Sequence, residues 1–131
     1  MNNQKRGKTF EQEWVEYLRS LGYWTHFMQP SPDGSQPFDV LAIYGNKVLA
    51  FDCKTLDGKR FPLSRIEDNQ RLAFEALNNV GVTHTYFVVK IDDTAYIVPS
   101  QDAIAALDNG VRGIDVIGGL YASIHFKQDA D

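Results

Sequence analysis

Cysteine is nearly absent: the 131 residues hold one, Cys53, so an internal disulfide and a cysteine-based zinc cluster are both excluded. Histidine is scarce too, and His26, His84 and His125 stand at spacings that match no metal-ligand motif, so zinc is not expected. No apolar run approaches the roughly 20 residues that cross a bilayer. The segment MNNQKRGK at the N-terminus lacks the apolar stretch of a signal peptide, and a cytoplasmic protein with no membrane partner is expected. Repeats, low-complexity tracts and linker-like segments are missing as well, which predicts a single domain over 1–131. A surplus of positive charge is missing too. The formal net charge is −4, which by itself disfavours nucleic acid as a partner. The distribution is uneven, however: residues 1–71 hold ten Lys and Arg against nine Asp and Glu, and residues 72–131 hold three against eight. Carboxylates of the first half that bound metal cations would leave its surface more positive than the formal count.

What is present is an ordinary globular composition, 44% hydrophobic and 23% charged, enough for a core without metal or disulfide support. In TFEQEWVEYLRSLGY, Phe10, Trp14, Tyr17, Leu18 and Leu21 form the stripe of an amphipathic helix that Gly22 ends. A short strand, WTHFMQ, and a loop, PSPDGSQP, come next. FDVLAIY and KVLAFDCK flank Gly45-Asn46 and read as a two-residue hairpin. Ser64 and Glu67 have the spacing of a capping box, which predicts a helix over about 65–79 with its stop at Gly81. THTYFVVKI and AYIVP read as strands around Asp92-Asp93, SQDAIAALDNG as a short helix capped by Ser100, and LYASIHF as a last strand. The order predicts an α/β fold, a central mixed sheet flanked by helices.

The hairpin carries charges a plain hairpin would avoid. With Gly45 and Asn46 as the loop, Tyr44 pairs with Lys47 and Asp39 faces Asp52. Opposed Cβ atoms lie about 4.5–5.5 Å apart, where like charges repel. Two carboxylates at that separation can share a divalent cation, and Mg²⁺ favours one or two carboxylates with waters and phosphate oxygens. Lys54 falls on the same face as Asp52 by the period of two, where its ammonium would orient a water or stabilise charge on a phosphate. The competing reading makes both aspartates exposed edge charges with Lys54 as counterion. Glu11 and Glu13 border opposite edges of the helical stripe, and periodicity does not choose between them.

Pro37, Asp39, Asp52 and Lys54 resemble the PD-(D/E)XK nuclease signature, and RGKTFE, FDCKT and FPLSRIEDNQ together resemble the RecU-like Holliday junction resolvases. Order and spacing are also similar to those of the archaeal resolvases, from about Arg6 to Pro99. This resemblance implies a restriction-endonuclease-like fold and a metal-dependent DNA endonuclease acting on four-way junctions by paired symmetric nicks. It implies Glu11, Asp39 and Asp52 as metal-binding carboxylates, with Glu13 the alternative to Glu11. Lys54 becomes the catalytic lysine, and the backbone carbonyl of Cys53 a further metal ligand. Mg²⁺ is the implied cofactor, with Mn²⁺ as a substitute, and branched DNA and a homodimer are the implied partners. Gln70 matches the glutamine of the family's second helix, near the site or the DNA. Arg6, Lys8, Lys59, Arg60, Arg65 and Arg71 become candidates for contacts to flanking phosphates. Two alternatives stand beside this reading: a nuclease of the same chemistry on duplex ends, flaps or single strands, and a non-catalytic DNA-binding domain of the same fold.

Overall fold

The computed structural model describes residues 8–126. Helix α1 (Phe10–Ser20) begins where Thr9 Oγ1 accepts the Gln12 N–H and Gln12 Oε1 accepts the Thr9 N–H, a reciprocal capping box. It ends where Gly22 takes a φ of +95° while the Tyr44 ring packs 3.1 Å from the position a Cβ would occupy, so both backbone angle and space call for glycine. Strand β1 (Trp24–Phe27) leads to β2 (Val40–Tyr44) and β3 (Lys47–Leu56), paired in the predicted register, Tyr44 with Lys47 and Val40 with Phe51. Gly45 supplies the positive φ of the turn, +59°, and Asn46 does not share it.

Strands β5 (His84–Ile91) and β6 (Thr94–Pro99) form a second hairpin, helix α3 (Ser100–Asp108) follows, and β8 (Ala122–His125) closes the far edge. The six-stranded sheet has the order β1-β2-β3-β5-β6-β8, antiparallel except for the parallel pair β3–β5. A parallel pair needs a crossover, and α2 (Asp68–Asn79) supplies it. The mixed sheet flanked by helices is the predicted architecture. Two further strands, β4 (Arg60–Pro62) and β7 (Gly113–Asp115), pair with each other outside the main sheet.

Two helix starts differ from expectation. The Ser64–Glu67 spacing does not cap α2, because Leu63–Arg65 forms a 3₁₀ turn; Glu67 is the N-cap and its capping-box partner is Gln70. Ser100 does not cap α3 either: it is fully buried, with its Oγ 2.5 Å from Thr85 Oγ1.

The alternation of strand side chains sorts the core into two clusters, one on each face of the sheet. Toward α1 lie Phe10, Trp14, Leu18, Val40, Leu49 and Phe51, and toward α2 and α3 lie Phe38, Ala50, Leu56, Phe74, Phe87 and Val98. Strand β3 sits between them and contributes to both.

Candidate active site

On β3, Leu49, Phe51 and Cys53 turn toward the α1 cluster, so Asp52 and Lys54 must turn to the other face. Asp39 lies one residue before β2. Its N–H donates to Phe51 O at 3.0 Å and its carbonyl accepts the Met28 N–H at 2.9 Å, which fixes its backbone between the extensions of β1 and β3. Its carboxylate Oδ2 accepts the Cys53 N–H at 2.7 Å. The hairpin register therefore brings Asp39 up to Asp52.

Asp52, Lys54 and Gln70 are buried, with 2%, 6% and 8% of their surfaces exposed, and they satisfy one another. Lys54 Nζ donates to Gln70 Oε1 at 3.2 Å, Gln70 Nε2 donates to Asp52 Oδ1 at 3.1 Å, and Lys54 Nζ lies 2.9 Å from Asp52 Oδ2. The last contact is an ion pair by distance but lacks hydrogen-bond alignment, and Asp52 Oδ2 has no hydrogen-bond donor among the described residues. Gln70 Oε1 also accepts the Glu67 N–H at 3.1 Å, so one amide side chain both caps α2 and bridges the buried ion pair. Beneath it, the Lys54 ammonium lies 5.9 Å from the centroid of the Phe87 ring, within cation–π range.

Burial dominates the electrostatics. It pushes the Asp39 carboxyl up to about 7; the Asp52 charge acts in the same direction, the Cys53 N–H opposes it and Glu11 adds a smaller push upward. Burial also raises Asp52 above the usual carboxylate range, against the opposing charge of Lys54. Two facing carboxyls whose ionised forms are both disfavoured by burial, with Lys54 the one cation paired to Asp52 among the described residues, are a set that a further cation would stabilise.

These groups line a polar cavity of about 350 Å³ that Glu11, Cys53, Arg65, Glu67 and Asn69 also line. Glu11 therefore shares the cavity with Asp39 and Asp52, whereas Glu13 forms a 2.6 Å ion pair with Lys90 on β5. Among the described residues no three His, Cys, Asp and Glu side chains are gathered closely enough to hold a metal ion. The facing pair nonetheless fits Mg²⁺, which takes one or two carboxylates and fills its remaining positions with water and phosphate oxygens. The Cys53 thiol is directed to the other face of the sheet, toward the α1 cluster, and its pKa is raised by burial.

The candidate phosphate contacts are differently placed. Lys59 is exposed, and Arg60 is exposed with its Nη2 donating to Gly113 O at 2.7 Å. Arg65 is an exposed cation on the cavity wall, within 3.5 Å of Thr55 O. Lys8 is exposed and pairs with Glu16 at 2.8 Å. Arg71 is turned away from the cavity to Glu75 and to Asp108 on α3, at 3.4 and 2.5 Å. Arg6 lies outside the described residues. The resemblance through FPLSRIEDNQ pointed to Gln70 as lying near the site or the DNA; its part as the bridge between Lys54 and Asp52 is what the sequence did not show.

A second, apolar groove of about 430 Å³ lies on the opposite face of the sheet, with Trp14, Phe51, Tyr86 and Ile97 in its wall and Asp102 as its one carboxylate. It holds no set of groups suited to hydrolysis.

A mixed sheet with helices on both faces, an aspartate at the start of one strand and an aspartate and a lysine on its neighbour define a restriction-endonuclease-like fold. The chain belongs to the archaeal Holliday junction resolvase (Hjc) family, whose model matches residues 2–120. Among solved structures it is similar to Hjc of Archaeoglobus fulgidus, described as a Holliday junction resolvase from an archaeal hyperthermophile. The TM-score is 0.56 and the identity 17%, over 70% of each chain; at that identity the likeness speaks for the fold. No curated protein matches the sequence. The resemblance to junction resolvases is thus borne out, in the archaeal family to which the order and spacing of the segments pointed.

Proposed function

We propose that the protein is a metal-dependent endonuclease that resolves four-way DNA junctions by paired symmetric nicks. One observation carries the reading: Asp39 and Asp52 meet across the β2–β3 register in a polar cavity, with the Lys54 ammonium on the same wall, in a chain of a junction-resolvase family. Asp39 and Asp52 would hold Mg²⁺, or Mn²⁺ in its place, with Glu11 and the Cys53 carbonyl as further ligands. A bound divalent ion supplies activation of a water and neutralisation of the phosphate. Lys54, held by Gln70 and by Asp52, presents a fixed positive charge to the attacking water or the phosphate, with little reorganisation left to make. Arg65, which lines the cavity, would hold a neighbouring phosphate, and Lys8, Lys59 and Arg60 are candidates for more distant ones. A four-way junction has approximate two-fold symmetry, so symmetric cutting calls for a homodimer with two such sites. The apolar groove beside β5, β6 and β8 is a surface of the character such an interface buries. No helix among the described residues is long and apolar enough to cross a membrane.

The test is cleavage of a labelled four-way junction beside a linear duplex of the same sequence. Each is run with Mg²⁺, with chelator, and with Asp52→Asn. Symmetric nicks in the junction alone are expected, lost with chelator and reduced at least about 100-fold by the substitution. Equal cutting of both DNAs would replace junction resolution by a nuclease of broader substrate, and no metal-dependent cutting of either would leave a binding domain.

A further inference from the structure

The sheet face that carries Asp39 and Asp52 extends across β2 to β1, and there part of it is open to solvent. Thr25 turns toward α1, where its Oγ1 accepts the Arg19 Nε–H at 2.8 Å, so its neighbours Trp24 and His26 must project from the other face, the face of the aspartates. Trp24 is 57% exposed and His26 is exposed. Their rings lie 3° from parallel, with centroids 6.0 Å apart. Across the ladder, Trp24 pairs with Ile43 and His26 with Leu41, both half-buried.

We propose that Trp24 and His26 form a stacking platform for an unstacked nucleobase of the DNA that enters the cavity, and so position branched substrate. The proposal rests on the nuclease reading above. Position supports it first. Met28 is hydrogen-bonded to Asp39, and at about 3.3 Å per strand residue His26 lies about 7 Å and Trp24 about 13 Å from that rung. At the roughly 3.4 Å rise of stacked bases, that is two to four nucleotides from the phosphate at the carboxylates. The platform thus lies on the same sheet face as the carboxylates, along one strand pair that leads to Asp39. Charge supports it second: β1 (WTHF) and β2 (VLAIY) contain no acidic residue, so in a chain of net charge −4 this strip does not repel a phosphodiester backbone. The chemistry sets the occupant. Base-on-aromatic stacking tolerates any sequence and needs a base whose face is free; a branch point or an unpaired flap offers one, and an intact duplex does not.

The experiment uses the full chain with chelator, so that no DNA is cut, and compares wild type, Trp24→Phe and Trp24→Ala. The probes are a four-way junction, a linear duplex and an unpaired flap, each carrying 2-aminopurine two to four nucleotides from the cut position. The platform predicts that Trp24→Ala weakens junction and flap binding about ten-fold and abolishes the wild-type change in 2-aminopurine emission, with duplex binding unchanged and Trp24→Phe close to wild type. Unchanged affinity and emission on both branched probes would overturn it. So would an equal loss on duplex, which marks a general surface contact, or a shift in oligomeric state, which marks an interface between copies. A Trp24-dependent signal on the flap without preference for the junction would overturn junction resolution and keep the platform.

Discussion

Toward α1, strand β3 presents Leu49, Phe51 and Cys53 to a cluster rich in aromatic rings, where Trp14 packs at 5.4 Å from Phe51 and 5.3 Å from Tyr17. Toward α2, the same strand presents Asp52 and Lys54 to a polar cavity. Among the described residues two buried side-chain atoms have no hydrogen-bond partner, Trp14 Nε1 and Asp52 Oδ2, and one belongs to each face. The indole N–H is enclosed by rings, and leaving it unpaired costs about 1–3 kcal/mol that packing outweighs. The carboxylate oxygen borders a cavity beside a second carboxyl, where a cation has room to bind. The unpaired N–H is a tolerated cost on one face, whereas on the other the oxygen is ion-paired to Lys54 at 2.9 Å and beside the cavity.

Removing the aromatic packing should have the largest effect. Trp14→Ala is expected to lower unfolding free energy by about 3–5 kcal/mol in denaturant titrations, while Trp14→Phe, which deletes the unpaired N–H and keeps most of the ring contacts, should cost much less. A loss in Trp14→Phe as large as in Trp14→Ala would mean the N–H has a partner after all. On the other face the expected effect falls on rate. Gln70→Ala frees Lys54 Nζ and Asp52 Oδ1 from their bridge, so junction cleavage should slow about 10–100-fold, with a stability loss near 1 kcal/mol from the weakened cap of α2. Unchanged cleavage would show that Lys54 is positioned without the glutamine.

The smallest effect is a slope against pH. Asp39 has its folded pKa raised to about 7 from an ordinary value of 3.8. Between those values the folded protein holds a proton that the unfolded chain has released, so stability without metal falls as pH rises through this window and levels off above it. The raised pKa of Asp52 acts in the same direction. Melting temperatures in chelator should therefore decline from pH 5 to pH 8 in wild type and decline less in Asp39→Asn. Equal slopes would remove Asp39 as the cause.

The difference between the faces was partly legible before any coordinates. Gly45-Asn46 fixed the hairpin register, and with it the meeting of Asp39 and Asp52 and the shared face of Lys54, because strand periodicity is local and strict. The stripe of α1 was legible for the same reason, while what separates Glu11, in the cavity, from Glu13, paired with Lys90, is a contact far along the chain. Gln70 depends on a contact between α2 and β3 that no local pattern encodes. Ser64 and Ser100 misled because a matching residue type was drawn elsewhere, one into a 3₁₀ turn and the other into a buried contact with Thr85. Strands β4 and β7 have three residues each, too few to show a period. Arg71 is paired with Asp108 on α3, a contact between distant elements that no local pattern encodes.

Titration calorimetry of Mg²⁺ into the DNA-free protein tests the central claim most directly, that the buried carboxylate pair on the α2 face is a metal site. Saturable binding at millimolar Mg²⁺ is predicted for wild type and for Trp14→Phe, and its loss in both Asp39→Asn and Asp52→Asn. Wild-type protein that binds no Mg²⁺, or binding that survives both aspartate substitutions, would contradict the account.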